Sequence, residues 1–141
     1  MDDGGGGPIR VLVADGVDRV RVAVRELLDL QRDMTVVGLA PDGPTTVALA
    51  AALHPDLILL DARLPGADPW DLAAALHGTY PTMTLIFYTA NPTAGLPEAA
   101  LRAGAAGFVE KGATPQAFLR ALRQAAGRAP AGADAREGDH A

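Results

Sequence analysis

"LILLDARLPG" (Leu57–Gly66) sets four aliphatic residues ahead of an acid, an arginine and a Pro-Gly break. An apolar run without polar alternation reads as a strand buried on both faces, as in parallel sheets covered by helices on each side. Such a strand has no use for a carboxylate at its end. Asp61 therefore marks the point where the chain leaves the core, and in open parallel sheets ligands bind beyond the carboxyl ends of the strands.

The flanking sequence repeats the pattern. "IRVLVA" (9–14), "TVVGLA" (35–40), "DLILL" (56–60), "TLIFYT" (84–89) and "GFVE" (107–110) read as strands. Between and after them, Ala/Leu-rich stretches at helical spacing predict helices over 19–30, 45–54, 68–78, the second half of 90–104, and 114–127. Asp18 is the expected N-cap of the first helix. Pro55 closes the second, and Asp68-Pro69 opens the third, with Gly78 as its stop. Thr114-Pro115 repeats the opening signal. In "ANPTAGLPEAALRAG" (90–104) two prolines delay the fourth helix to the neighbourhood of Pro97. Five βα units in series predict an α/β fold: a three-layer (βα)5, flavodoxin-like arrangement around a parallel five-stranded sheet.

Composition narrows the function. With 141 residues the chain builds one domain. Residues 8–127 form the expected folded part. The Gly-rich stretch 1–7 and the polar stretch 128–141 are expected to stay disordered as tails. Twelve basic against seventeen acidic residues give a net charge of -5, which argues against nucleic acid as a direct partner. There is no cysteine, hence no disulfide framework and no thiolate metal site. No apolar run approaches the roughly 18–20 residues of a membrane span, and the acidic N-terminus is unlike a signal peptide. The expected location is the cytoplasm.

If the strand order is 2-1-3-4-5, the residues after the strands converge on one rim: Asp15, Asp61, Thr89 and Lys111. Taken singly, each has a plain explanation: a turn-forming Asp, a β-branched strand residue, a solvated Lys. Together they suit phosphoryl transfer to a carboxylate. An Asp can be the nucleophile, a hard divalent ion such as Mg²⁺ can bridge oxygens, and a Lys and a hydroxyl can hold the remainder.

These residues bring out a resemblance. "VLVAD", "PDLILLDARLPG", "IFYTA", "LRAGAAGFVEK" and "TPQAFLRALRQAAG" make the region 9–127 similar to the receiver domain of bacterial two-component response regulators. It most resembles receivers that precede a helix-turn-helix output. The resemblance implies Asp61 as phosphoacceptor, with Thr89 and Lys111 contacting the phosphoryl group and Phe108 as the aromatic switch residue. It implies Mg²⁺ held by Asp15, Asp61 and the backbone carbonyl of Arg63. The implied partners are a histidine kinase or phosphotransfer protein, a downstream protein and a second copy of the chain. The implied domain is a phosphoacceptor, not an enzyme.

Two departures matter. The family typically carries two successive acids after the first strand, whereas "ADGVD" has Asp15 followed by Gly16. The pocket loses an oxygen ligand, so Mg²⁺ is expected to bind weakly unless Asp18 or water compensates. The prolines before the fourth helix alter the family's usual signalling surface. The alternative is thus a pseudo-receiver, a phosphorylation-independent interaction module. Other chemistries fit less well. A haloacid-dehalogenase-like phosphatase needs an acid where Arg63 stands. A flavodoxin needs hydroxyls in the loop "DGVDRV", and the G-x-G-x-x-G of a dinucleotide fold is absent.

Overall fold

The computed structural model describes residues 7–90 and 96–127. Strands and helices alternate: β1 Ile9–Ala14, α1 Asp18–Asp29, β2 Met34–Ala40, α2 Gly43–Leu53, β3 Leu57–Asp61, α3 Pro69–Thr79, β4 Thr84–Thr89, α4 Leu96–Arg102, β5 Gly107–Glu110 and α5 Pro115–Ala125. The sheet is parallel throughout, in the order β2-β1-β3-β4-β5. The expected three-layer (βα)5 fold is present.

Side-chain alternation splits the core into two layers. Leu12, Ile58, Leu60, Leu85 and Phe87 pack with Ala50 of α2, Leu72 and Leu76 of α3, and Ala100 of α4. On the other face Val11, Val13, Leu57, Leu59, Ile86 and Tyr88 pack with Val24 and Leu28 of α1 and Phe118, Leu119 and Leu122 of α5. All five residues of β3 are buried, which is why its apolar run is the strongest strand signal in the chain. Each fully buried aliphatic side chain there contributes about 1.5–3 kcal/mol. At the edge, β2 is mostly half-buried, and Val37 is an extra residue in its ladder: Val11 pairs with Val36 but Leu12 with Gly38.

Asp68 and Thr114 cap α3 and α5 as expected, accepting from the backbone N–H groups of Trp70 and Asp71, and of Ala117. Three boundary expectations are corrected. Asp18 is not the N-cap of α1; Val17 is, without a side-chain bond, and Asp18 is the first helical residue. The Asp15 carboxylate accepts from Val17 N–H at 2.9 Å, so the turn is closed one residue earlier. Helix α2 starts at Gly43, capped by Asp42 through Thr45 N–H, and ends at His54 in the left-handed region, ahead of Pro55. Gly78 does not stop α3, which runs on to Thr79. A glycine costs only about 1 kcal/mol of propensity, and the buried Leu72, Ala73 and Leu76 outweigh it.

Helix α4 begins late, at Leu96, as its prolines required. The preceding stretch 91–95 lies outside the described residues, as do 1–6 and 128–141, where the disordered tails were expected. After α4 comes Gly104 at φ +95, where an added Cβ would sit 2.5 Å from the His77 ring. Only glycine serves both needs. At the base of the sheet Arg123 of α5 grips Asp33 with two hydrogen bonds, Nε to Oδ2 at 2.7 Å and Nη2 to Oδ1 at 2.9 Å. Among the described residues, no helix is long and apolar enough to cross a membrane.

Candidate functional site

The carboxyl ends of β1, β3 and β5 deliver three charged side chains to one place. Asp15 follows β1 immediately, Asp61 is the last residue of β3, and Lys111 follows β5. Asp61 shares the strand parity of Leu57 and Leu59, so it leaves the sheet on the α1/α5 side. Asp15 is completely buried, Asp61 is 5% exposed, and the Lys111 side chain is 19% exposed.

The two acids are built alike. Oδ1 of Asp15 accepts from the N–H of Val17, and Oδ1 of Asp61 accepts from the N–H of Arg63, both at 2.9 Å. Each is a local turn in which Asp bonds its own backbone two residues on. That leaves the second oxygens, and both face Lys111: Nζ is 2.7 Å from Oδ2 of Asp15 and 3.5 Å from Oδ2 of Asp61. This buried Asp15 oxygen thus has the Lys111 ammonium as its charge partner.

Tyr88 of β4 forms the floor on this side, with Lys111 Nζ 5.4 Å from its ring centroid. Burial, and secondarily the charge of Asp15, push its hydroxyl above the usual phenol range. Thr89, next along β4, is buried, and its carbonyl accepts from Lys111 N–H at 2.8 Å. By parity it belongs with Leu85 and Phe87, on the opposite face from Tyr88. Phe108 lies on that face too, half-buried against the same core layer and in register with Phe87.

The remaining candidates stand apart. Asp18 is turned to solvent, its side chain 86% exposed, and is paired with Arg21 at 3.0 Å. The same guanidinium donates to the Asp15 carbonyl at 2.7 Å. The Arg63 side chain is exposed, and its backbone N–H serves Asp61. Position 16 is closed by its neighbour: a Cβ on Gly16 would lie 2.7 Å from Pro65 Cδ and 2.9 Å from Cγ. Arg21, Tyr88 and Pro65 escaped the sequence reading. The i, i+3 spacing of Asp18 and Arg21 was a usable signal for the first.

Mg²⁺ asks for near-octahedral oxygen coordination. Among the described residues no three His, Cys, Asp or Glu side chains are grouped to hold a metal ion. The two pocket carboxylates each spend one oxygen on a turn and face an ammonium with the other. Mg²⁺ commonly uses only one or two carboxylates and keeps several waters, so Asp15 and Asp61 are the residues that would hold it.

Comparison with known proteins places this geometry in a family. The model of the response regulator receiver domain matches residues 11–123. The chain is 35% identical over 118 residues to the transcriptional regulatory protein YxjL of Bacillus subtilis, covering 84% of this chain and 54% of that one. It is 33% identical over 119 residues to the nitrate/nitrite response regulator protein NarL of Escherichia coli, covering 84% and 55%. It thus spans about half the length of the curated relatives it matches. The signal receiver domain of a NarL response regulator from Mycobacterium tuberculosis superposes with a TM-score of 0.81 at 33% identity, over 86% of this chain and 98% of that one. The response regulator domain of Thermotoga maritima CheB gives 0.78 at 30%, over 87% and 99%. With a family model that runs from β1 into α5 and receiver structures that cover 86% and 87% of its length, the chain belongs to the response regulator receiver domain family.

Proposed function

We propose that this domain accepts a phosphoryl group on Asp61 and converts it into a change of a protein-binding surface. The observation that supports the reading is the meeting of Asp61 Oδ2 with Lys111 Nζ at 3.5 Å, beside Asp15, at the carboxyl end of the sheet. In the transfer, Oδ2 of Asp61 attacks phosphorus, the phosphorus bond to the donor breaks, and the product is an acyl phosphate on the Asp61 carboxyl. Lys111 carries the charge of the incoming oxygens, and Thr89, on the other face of β4, has to turn its hydroxyl toward one of them. Phe108, on the same face as Thr89, then turns with it. Asp61 keeps its orientation through the Arg63 N–H.

The donor is a histidine kinase or phosphotransfer protein, and the receiver of the signal is a downstream protein or a second copy of the chain. Relatives named as transcriptional and nitrate/nitrite regulators suggest gene control as the process served. The domain is a phosphoacceptor, with any reaction with small phosphodonors secondary.

A second reading is a phosphorylation-independent interaction module. It is favoured by Gly16 and by the Pro65 ring standing where a side chain at position 16 would begin. Incubation with acetyl phosphate, with and without Mg²⁺, followed by intact-mass measurement, separates the two. Addition of one phosphoryl mass to wild type, absent in Asp61→Asn, supports phosphoacceptance. An unchanged mass under all conditions, including with a cognate kinase, supports the interaction module.

A further inference from the structure

Asp15 is held on three sides. Its N–H donates to the Ala40 carbonyl at 3.0 Å, its Oδ1 accepts from Val17 N–H at 2.9 Å, and its carbonyl accepts from Arg21 Nη1 at 2.7 Å. We propose that Arg21 is a positioning residue of the pocket, a brace that sets the direction of the Asp15 carboxylate by holding its backbone. The inference rests on the proposed phosphoacceptor pocket, to which Asp15 contributes.

The Asp15 carbonyl is the atom that needs a partner. β1 ends at Ala14 and its pairing with β2 and β3 stops there, so no neighbouring strand supplies a donor. Helix α1 begins at Asp18, and the Val20 and Arg21 N–H groups of its first turn go to the Val17 carbonyl instead. Asp15 is completely buried, and a buried carbonyl without a donor is unfavourable enough to turn the chain in search of one. Gly16 makes such a turn easy, because glycine restrains its backbone least. Arg21 removes the need for it. Its side chain is only 14% exposed, which strengthens a charged hydrogen bond relative to one in water. The other arm of the guanidinium, Nη2, reaches Asp18 Oδ1 at 3.0 Å. One planar fork thus ties the end of β1 to the first turn of α1 across the glycine.

Bracing and simple charge predict effects of opposite sign. A guanidinium beside two acids repels a divalent cation, so a role as charge alone means that deleting it tightens metal binding. Deleting a brace lets Asp15 swing off the pocket and loosens binding. Titration of the full chain with Mn²⁺ by calorimetry, without phosphodonor, reads that sign. Arg21→Met is expected to bind Mn²⁺ about fivefold or more weakly than wild type. Asp18→Asn, which keeps the contact with the Asp15 carbonyl, should bind as wild type does, and Arg21→Lys should recover part of the loss. Equal or tighter binding by Arg21→Met would overturn the proposal.

A metal-free measurement decides if wild type binds Mn²⁺ too weakly to titrate. Exchange of the Val17 amide, followed by NMR, reports on the bond to Asp15 Oδ1, whereas the Val20 amide, 3.1 Å from the Val17 carbonyl, reports on the helix turn. In Arg21→Met, Val17 should exchange severalfold faster while Val20 keeps its rate. An unchanged Val17 rate, or equal acceleration of both amides, would reduce Arg21 to a helix-stabilising residue and sink the proposal. Should Arg21→Met fail to fold, Arg21→Gln takes its place with the same two expectations. No phosphoryl donor enters either measurement, so the brace and phosphoacceptance by Asp61 can fail independently.

Discussion

Lys111 stands closer to Asp15 than to Asp61, 2.7 against 3.5 Å, so the acid proposed to react is the looser of its two partners. Two carboxylates share one ammonium, and removing different members of the trio should therefore have opposite effects. Lys111→Gln leaves two buried acids facing each other without a counter-charge. Allowing for the partial exposure of the lysine, it should destabilise the fold by about 2–4 kcal/mol. Asp61→Asn leaves a matched pair and should be neutral or stabilising. Urea midpoints at constant m-value measure both, and the reverse order would contradict this charge balance.

Gly16 and Pro65 should behave as a coupled pair. A Cβ at position 16 meets Pro65 Cδ at 2.7 Å, and a ring atom cannot swing aside as a flexible side-chain end can. Gly16→Ala is expected to cost about 1–3 kcal/mol, as overpacking does. In a Pro65→Ala background most of that cost should disappear. A double-mutant cycle with coupling below about 0.5 kcal/mol would show the two positions to be independent. The same contact means that restoring an acid as Gly16→Asp needs Pro65 to yield.

Tyr88 predicts a loss of stability at alkaline pH. Its hydroxyl is raised above the ordinary phenol value by burial first and by Asp15 second. The folded protein therefore holds this proton more tightly than the unfolded chain. The stabilisation is full below about pH 10, the unfolded value, and is lost as pH climbs through the higher folded one. Urea midpoints of wild type should fall across that window, and those of Tyr88→Phe should fall less.

The pair at the base of the sheet is expected to matter for stability without touching the site. Arg123 is 8% exposed and makes two hydrogen bonds to Asp33, tying α5 to the turn before β2. Arg123→Ala should cost about 2–3 kcal/mol by removing two charge-assisted hydrogen bonds and packed methylenes. Arg123→Lys should recover only part, since an ammonium cannot reproduce the fork. Thermal melts give both values, and phosphorylation by acetyl phosphate should be unaffected.

Much of the fold was legible because its signals are local. The aliphatic run 57–60, the Asp68-Pro69 and Thr114-Pro115 openings and the proline-delayed α4 each act within a few residues, and the structure keeps them all. The boundaries that moved did so for contacts one turn beyond the pattern. Asp15 closes the turn that Asp18 was expected to cap, Asp42 starts α2 earlier, and buried neighbours carry α3 past Gly78.

Of the site, the sequence by itself determined which residue types end each strand, and hence that Asp15, Asp61 and Lys111 could share one rim once the strands lie in the order β2-β1-β3-β4-β5. Strand parity and chain order carry that information along the backbone. Only the tertiary structure decided what those side chains do with their spare atoms. Arg21 turns Asp18 outward, Pro65 occupies the space beside Gly16, and Lys111 fills the gap between two acids 46 residues apart in sequence. Such outcomes depend on which distant groups reach a point first and on the room left there, and neither quantity is written in any single stretch of the chain.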